Sequence, residues 1–191
     1  MKRIALCGNI ASGKSTVQKI IEENNYKAMD TDKVAYNLLS VKNKQLYNVF
    51  KDYNVFENGE FSRLKMGNLI FSNEDLRLKL NAIMHPLIAE KIEEFYKNNK
   101  DDELLFVGIP LLFEAKMEYL FDKIIFVYTN DDIRLKRLLN RDKCSIEQAK
   151  LRINSQIPQE EKKNKSDFVI TNNGTINELR IQVNDILSNL V

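Results

Sequence analysis

A glycine-rich loop near the start of the chain holds the residues best suited to chemistry. Residues 8–15 read Gly-Asn-Ile-Ala-Ser-Gly-Lys-Ser and fill every fixed position of the pattern G-x-x-x-x-G-K-[ST]. In that pattern backbone N–H groups surround phosphate oxygens, the lysine reaches the β- and γ-phosphates, and the last hydroxyl binds Mg²⁺. The loop therefore predicts binding of a nucleoside triphosphate. The predicted contacts are Gly8, Ala11, Ser12, Gly13, Lys14, Ser15 and Thr16.

A pair of aspartates is the second group that could take part in chemistry. Asp30 and Asp32 flank Thr31, directly after the weak apolar run of residues 26–29. Phosphoryl transfer requires an aligned acceptor oxygen and a group that receives the hydroxyl proton, which a carboxylate near the phosphate loop can do. Capping of the next helix is the alternative role, since aspartate is favoured there. Because capping needs only one carboxylate, we predict that Asp32 is catalytic, with Asp30 as the alternative catalytic carboxylate.

Elements that could position these groups can be recognised along the chain. The apolar run of residues 4–7 leads into the phosphate loop, and residues 16–21 after the loop favour a helix. Further apolar runs at 103–109, 123–128 and 168–170 are typical of strands covered on both faces. Helical patterns separate these runs, two of them opened by the capping boxes Ser145-x-x-Gln148 and Thr175-x-x-Glu178. This alternation predicts an α/β fold with a parallel five-stranded sheet, whose ligands lie beyond the carboxyl ends of the strands.

Residues 31–102 interrupt the alternation of strands and helices. They are too long for an ordinary crossover, so we expect a helical insertion at the active edge of the sheet. Asn58-Gly59 indicates a tight turn within it, and Pro86 is expected to kink a long helix. The apolar residues of that helix recur at one-face spacing and predict a packing face. They are Leu76, Leu80, Ile83, Met84, Leu87, Ile88, Ile92 and Phe95.

Composition excludes several other classes of protein. The 191 residues carry a net charge of +2, less than a dedicated nucleic-acid binder would show. Cys7, Cys144 and the single His85 have no zinc or disulfide spacing. The longest apolar run, residues 104–113, is half the length of a membrane span, and the first apolar run is too short for a signal peptide. We therefore predict a cytoplasmic protein that binds neither membranes nor nucleic acid.

A GTPase switch is the main alternative among proteins that contain this loop. Asn164-Lys165-Ser166-Asp167 matches the guanine-reading pattern N-K-x-D. In GTPases, however, that motif follows the end of a strand, whereas here it precedes the apolar run 168–170. None of the six glycines has an aspartate three residues before it, so the D-x-x-G pattern of a switch is also missing from the sequence. We therefore favour a small-molecule kinase.

The chain closely resembles the dephospho-coenzyme A kinase family, almost from end to end. The order and spacing of the matching pieces make the resemblance specific. The pieces are Ser12-Gly13-Lys14-Ser15-Thr16, Asp30-Thr31-Asp32, Asn58-Gly59 with Arg63, Phe71, Arg77, His85-Pro86-Leu87-Ile88, Pro110-Leu111-Leu112-Phe113-Glu114, residues 137–142, Gln156, Asp167-Phe168-Val169-Ile170 and Asn173-Gly174. The family is usually richer in glycine where this chain has Asn9 and Ala11, so the loop geometry is expected to shift slightly.

The resemblance implies ATP-dependent phosphorylation of the ribose 3′-hydroxyl of dephospho-coenzyme A, the last step of coenzyme A synthesis. Asp32 would accept the hydroxyl proton, and Lys14 would stabilise the transferred group. Ser15 would bind Mg²⁺, since no acidic residue ends the strand at residues 103–109. Arg141, four residues after Arg137 and on the same helix face, would neutralise charge in the transition state. The alternative acceptor is a nucleoside monophosphate or another small metabolite.

The resemblance also implies the remaining binding residues and the domain organisation. Asn173 would contact the nucleotide. The acceptor site would be lined by Asp32, Arg63, His85, Leu111, Leu112 and Glu114, of which His85 could equally be a core or capping residue. A single kinase domain would contain a core of about residues 1–30 and 103–191, an acceptor-binding insertion of about 31–102, and a mobile lid of about 143–164. We expect a monomer, capable at most of weak self-association.

Overall fold

A computed structural model describes residues 1–190 of the chain. Strands and helices alternate through most of it. The strands are β1 (Lys2–Gly8), β2 (Lys27–Asp30), β3 (Phe56–Glu57), β4 (Glu60–Phe61), β5 (Leu104–Gly108), β6 (Lys123–Tyr128) and β7 (Phe168–Thr171). The helices are α1 (Lys14–Glu23), α2 (Thr31–Leu38), α3 (Lys44–Phe50), α4 (Arg63–Ser72), α5 (Glu74–Asn98), a short 3₁₀ helix (Glu118–Leu120), α6 (Asp131–Asp142), α7 (Ile146–Asn154), α8 (Gln159–Asn164) and α9 (Ile176–Leu190).

Five strands form one parallel sheet in the order β2-β5-β1-β6-β7. The strand that leads into the phosphate loop, β1, is therefore central, with β5 and β6 as its neighbours. Because all five strands are parallel, their carboxyl ends meet at one edge of the sheet. The predicted α/β fold with a five-stranded parallel sheet is confirmed, and each of the five predicted strands is present.

The core of the sheet is built from unbroken apolar strands covered by helices. Ile4 and Leu6 of β1 are fully buried and pack with Val17 of α1 and with Leu179 and Val183 of α9. Both capping boxes are present. The Ser145 hydroxyl accepts from the Gln148 N–H, and the Thr175 N–H donates to the Glu178 carboxylate. The local sequence patterns thus set the ends of these helices as predicted.

The chain divides into two compact units, one of residues 1–30 with the chain from Phe95 onward and the other Thr31–Glu94. The second unit is helical and includes the two-residue strands β3 and β4, joined by the predicted turn. Asn58 and Gly59 both have positive φ, 50° and 81°, as such a turn requires. Three residues of the predicted packing face are buried in its core, Leu76, Leu80 and Met84. Helix α5 is continuous through Pro86.

Among residues 1–190, no helix is both long enough and apolar enough to cross a membrane.

Candidate active site

The phosphate loop connects the end of β1 at Gly8 to the start of α1 at Lys14. Gly13 has φ 91°, a left-handed conformation that glycine adopts without steric cost. Ala11 also has a positive φ, 62°, whereas Asn9 does not. The strained position of the loop is therefore Ala11. An alanine in this conformation is less favourable than glycine by about 1–2 kcal/mol.

The carbonyl of Ser12 is the main anchor of the loop. It accepts hydrogen bonds from Asn172 Nδ2 at 2.8 Å and from the Thr129 hydroxyl at 2.9 Å. Arg137 Nη1 approaches the same oxygen at 3.4 Å, while its Nη2 donates to the Asn172 carbonyl at 3.1 Å. Thr129 and Asn172 are buried and follow β6 and β7, respectively. The ends of two strands therefore hold the loop in position before any nucleotide binds.

The first half of the loop is held by a different segment of the chain. Ile10 N–H donates to Gln156 Oε1 at 2.7 Å, and Asn9 Nδ2 donates to the Ile157 carbonyl at 3.0 Å. Arg134, 2% exposed, donates from Nε to the Ile10 carbonyl at 3.0 Å. The loop is thus bound on both sides, which preorganises it for phosphate.

The ammonium group of Lys14 lies over the end of β5. A methyl group on Gly108 would be 2.6 Å from Gln18 Oε1 and 3.1 Å from Lys14 Nζ, so the absence of a side chain at Gly108 makes room for both side chains. Gly108 is in register with Asp30 at the end of β2. Lys14, Gly108 and Asp30 therefore lie at the same carboxyl edge of the sheet, which is where such sheets bind ligands.

The two arginines predicted for the lid have different surroundings. Arg137 is half-buried against the phosphate loop, as described above. Arg141 is 58% exposed and donates from Nε to Asp142 at 2.7 Å, and Arg152 also pairs with Asp142. The hydrogen bond from Arg141, together with Arg152, holds the pKa of Asp142 below its usual value, and the same bond raises the pKa of Arg141. Both groups stay charged at neutral pH.

The segment predicted as a lid, residues 143–164, contains a first half that is mostly exposed and a second half that is anchored by two buried side chains. In α7, Ile146 and Leu151 are 51% and 68% exposed. In α8, Gln159 and Lys162 are buried, and Gln159 Nε2 donates to the Thr129 carbonyl at 2.9 Å. The second half is therefore bonded to Thr129, which also holds the Ser12 carbonyl.

The predicted acceptor residues of the helical unit lie on three of its helices. Asp32 is exposed in the first turn of α2, and Asp30, half-buried, ends β2 just before it. Arg63 is exposed at the first residue of α4. His85 is half-buried in α5, and burial lowers the pKa of its imidazole, so it is neutral at pH 7.

The other predicted acceptor residues follow β5. Leu111 is 44% exposed, whereas Leu112 is fully buried. The Glu114 carboxylate accepts from the Ile157 N–H at 3.2 Å and pairs with Lys162 at 2.6 Å. Leu111 is therefore accessible to a ligand, while in this structure the side chains of Leu112 and Glu114 face protein.

Asn173 and Asp167 lie just beyond opposite ends of β7. Asn173 exchanges hydrogen bonds with Asn130, donating to its side chain and accepting from its N–H at 2.9 Å each. Asp167 lies just before β7 and accepts from Lys123 and from the Ile124 N–H. That position is at the amino end of the strands, opposite the phosphate loop. The N-K-x-D match therefore lies away from the nucleotide, in agreement with its rejection as a guanine motif.

Hydroxyl and carboxylate oxygens at the carboxyl edge fit a magnesium ion shared with ATP. Ser15 is exposed in the first turn of α1, next to Lys14. Within residues 1–190 no group of three or more His, Cys, Asp or Glu side chains could hold a metal. Mg²⁺ keeps several waters and commonly takes only one or two protein ligands beside substrate phosphates, so this donor set suits it.

Sequence reasoning missed several residues that hold the phosphate loop. Asn172, Thr129 and Arg134 were not recognised, and Gln156 was noted without a role. Asn172 was adjacent to the recognised Asn173-Gly174, and Thr129 follows a predicted strand. A search for polar residues just after the strands would have found both.

Comparison with known proteins identifies the family. A sequence model of dephospho-CoA kinase matches residues 2–178. The dephospho-CoA kinase of Staphylococcus aureus (strain Mu50) is 39% identical over 190 residues, covering 97% of this chain and 92% of that protein. The structure of dephospho-CoA kinase from Campylobacter jejuni has a TM-score of 0.72 at 31% identity, covering 98% of this chain and 96% of its own. TT1252 from Thermus thermophilus has a TM-score of 0.85 at 29% identity, covering 100% and 98%. This chain belongs to the dephospho-CoA kinase family.

Proposed function

We propose that Lys14, Asp32 and Arg141 carry out the reaction of this family in this chain. That reaction is ATP-dependent phosphorylation of dephospho-coenzyme A on its ribose 3′-hydroxyl, which gives coenzyme A and ADP. It is the last step of coenzyme A biosynthesis. The observation that carries the assignment of roles is the position of Lys14 Nζ over Gly108, at the sheet edge where Asp30 ends β2.

The phosphate loop binds the donor. Its backbone N–H groups and the start of α1 favour the β- and γ-phosphates of ATP. Lys14 stabilises the negative charge of the phosphoryl group as it leaves ADP. When bound, Mg²⁺ supplies further neutralisation of the phosphate oxygens, and the hydroxyl of Ser15 is the protein ligand that we assign to it. Thr16 and Asn173 complete the nucleotide contacts.

Asp32 orients the acceptor hydroxyl and receives its proton as the bond to phosphorus forms. An exposed carboxylate in a first helical turn is accessible to substrate. Arg63, His85 and Leu111 would contact dephospho-coenzyme A. The helical unit Thr31–Glu94 would then serve as the acceptor-binding insertion. We propose that the protein acts as a monomer in the cytoplasm, without nucleic-acid or membrane partners.

The lid movement that we propose is confined to residues 143–155. Exposed Ile146 and Leu151 give α7 apolar surface that closure over the substrates would bury. Closure of residues 143–155 would exclude water. The side chain of Arg141, at the end of the neighbouring helix α6, would turn from its pair with Asp142 toward the transferred phosphoryl group. Residues 156–164 would stay in place because they are bonded to the phosphate loop and to Thr129.

Replacement of Asp32 by Asn separates chemistry from a structural role in the first turn of α2. Asp32 is the second residue of that helix rather than its cap, and Asn is similar in size and polarity but cannot take a proton. We expect Asp32→Asn to lower kcat at least about a hundredfold while the melting temperature and dephospho-coenzyme A binding hardly change. An ADP-release assay with dephospho-coenzyme A, adenosine and nucleoside monophosphates, alongside a melting curve, provides the measurement.

Two outcomes would contradict the proposal. If a nucleoside monophosphate were the best acceptor, the assigned substrate would be wrong. If Asp32→Asn melted much earlier while its folded fraction turned over normally, Asp32 would be structural. Asp52→Asn, on the same helical unit but outside the matching motifs, serves as the control.

A further inference from the structure

A lysine and a glutamate form an ion pair inside the nucleotide-binding unit. Lys162 Nζ lies 2.6 Å from Glu114 Oε1, and the Lys162 side chain is only 1% exposed. Glu114 Oε2 is also inaccessible to solvent. Burial raises the pKa of nearby Cys7 to about 12, so its thiol stays neutral and provides no second negative charge for the lysine. A lysine at this depth depends on its carboxylate partner.

The same carboxylate holds the segment that supports the phosphate loop. Glu114 Oε1 also accepts from the Ile157 N–H at 3.2 Å. The Ile157 carbonyl accepts from Asn9 Nδ2, and the preceding Gln156 accepts from the Ile10 N–H. A continuous series of polar contacts thus runs from the ion pair to the first residues of the phosphate loop.

We propose that the Lys162–Glu114 pair is a positioning element for the phosphate loop, and that Glu114 acts through it rather than by binding the acceptor. The inference rests on the proposed phosphoryl transfer. Both oxygens of Glu114 face protein, and Oε1 already has two partners. Loss of either charge leaves the other one buried without compensation, which displaces residues 156–157 and with them Asn9 and Ile10.

The two roles of Glu114 make different predictions about substrate binding. As part of a positioning pair, Glu114→Gln and Lys162→Met should weaken the same quantity, nucleotide affinity. A displacement of about 1 Å in a binding loop can cost about a hundredfold, and we expect a ten- to hundredfold rise in the dissociation constant of each variant. Because both changes disrupt one contact, the double variant should be no weaker than the worse single variant.

The experiment uses the full chain at a temperature where circular dichroism shows each variant to be folded. The dissociation constant of a fluorescent N-methylanthraniloyl-ATP and the KM for dephospho-coenzyme A are measured for both single variants and the double variant. Lys162→Arg keeps the charge and should restore much of the nucleotide affinity. Lys163→Met is the matched control, since Lys163 is exposed and lies 3.6 Å from Glu160 on the same helix. It should behave as the unmodified chain.

The inference is overturned if Glu114→Gln raises the KM for dephospho-coenzyme A while both it and Lys162→Met leave nucleotide affinity unchanged. Independent, multiplying effects of the two changes would overturn it as well. If Lys162→Met does not fold, Glu114→Gln and Lys162→Arg still decide, because Glu114→Gln should weaken nucleotide binding much more than Lys162→Arg does. An unmodified chain that fails to phosphorylate dephospho-coenzyme A would refute the proposed function, whereas the nucleotide dissociation constants test the pair in either case.

Discussion

The phosphate loop and residues 143–155 are both proposed to act during phosphoryl transfer, but the structure holds them very differently. The loop is bound from several sides by side chains of distant segments, among them the buried Thr129 and Asn172. Residues 143–155 are mostly exposed, and their contacts with α6 include the ion pair between Arg152 and Asp142. One region is held by contacts from several sides, and we propose that the other moves during catalysis.

The difference matches what phosphoryl transfer requires. Donors that stabilise developing charge are most effective when they need not reorganise during the reaction, as in the phosphate loop. A segment that excludes water must open to admit substrate and release product, and cannot be fixed in the same way. Changes in the fixed region should therefore affect nucleotide binding. Changes in the movable region should affect turnover.

The largest effect is expected for Lys14→Ala. This lysine is the cation that the loop directs at the phosphates, so kcat should fall by at least about 10²–10³-fold and the KM for ATP should rise. ADP release measures both. Lys19→Ala, an exposed lysine on the same helix, is the control. Near-normal activity of Lys14→Ala would rule out the assignment of the phosphate loop.

The two arginines of α6 compare the regions most directly. Arg137 contacts Ser12, so Arg137→Ala should mainly raise the dissociation constant of ATP, by about tenfold for the loss of charge-assisted hydrogen bonds. Arg141→Ala should lower kcat about a hundredfold and hardly change the KM for dephospho-coenzyme A. Steady-state kinetics and nucleotide binding distinguish them, with Lys136→Ala on the same helix as control. Identical profiles for the two variants would contradict the division into fixed and movable regions.

The ion pairs of Asp142 with Arg141 and Arg152 should contribute to stability in a pH-dependent way. Arg141 and Arg152 lower the pKa of Asp142 from 3.8, so its contribution is complete above that pH and is lost as the pH falls through the lower folded value. Asp142→Asn should reduce the melting temperature by about 1–3 °C, as expected for partly exposed pairs. The difference from the unmodified chain should be constant between pH 8 and 5 and shrink below about pH 4. A difference that varies across neutral pH would show that another group is responsible.

The smallest effect is expected inside the fixed region, at Ala11. Ala11→Gly relieves a left-handed alanine but makes the unfolded chain more flexible, so the net gain should be at most about 1 kcal/mol. Thermal melting should show an equal or slightly higher midpoint, with kinase activity retained. Ala82→Gly, in an exposed helical position, should instead lower stability by about 1 kcal/mol. A lower midpoint for Ala11→Gly would mean that the alanine methyl group packs favourably in the loop.

Some features could be predicted because their causes are local. The five strands follow from continuous apolar runs, and the capping boxes at Ser145 and Thr175 involve residues three apart. The sequence predicted a shift in loop geometry at Asn9 and Ala11, but not that the positive φ falls on Ala11 rather than on Asn9. Backbone angles in a loop depend on what surrounds it, and here residues 129, 156 and 172 of distant segments contact the loop.

The sequence by itself determined the order of the elements, the phosphate-binding motif and the family, since these depend on residue types at fixed spacing. Only the tertiary structure decided that Asn172 and Thr129 hold Ser12, that Leu112 is buried while Leu111 is exposed, and that Glu114 pairs with Lys162. Each of these contacts joins residues from different elements or turns on how one side chain packs. Sequence spacing carries no direct information about such packing, because it arises only when the sheet and its helices assemble.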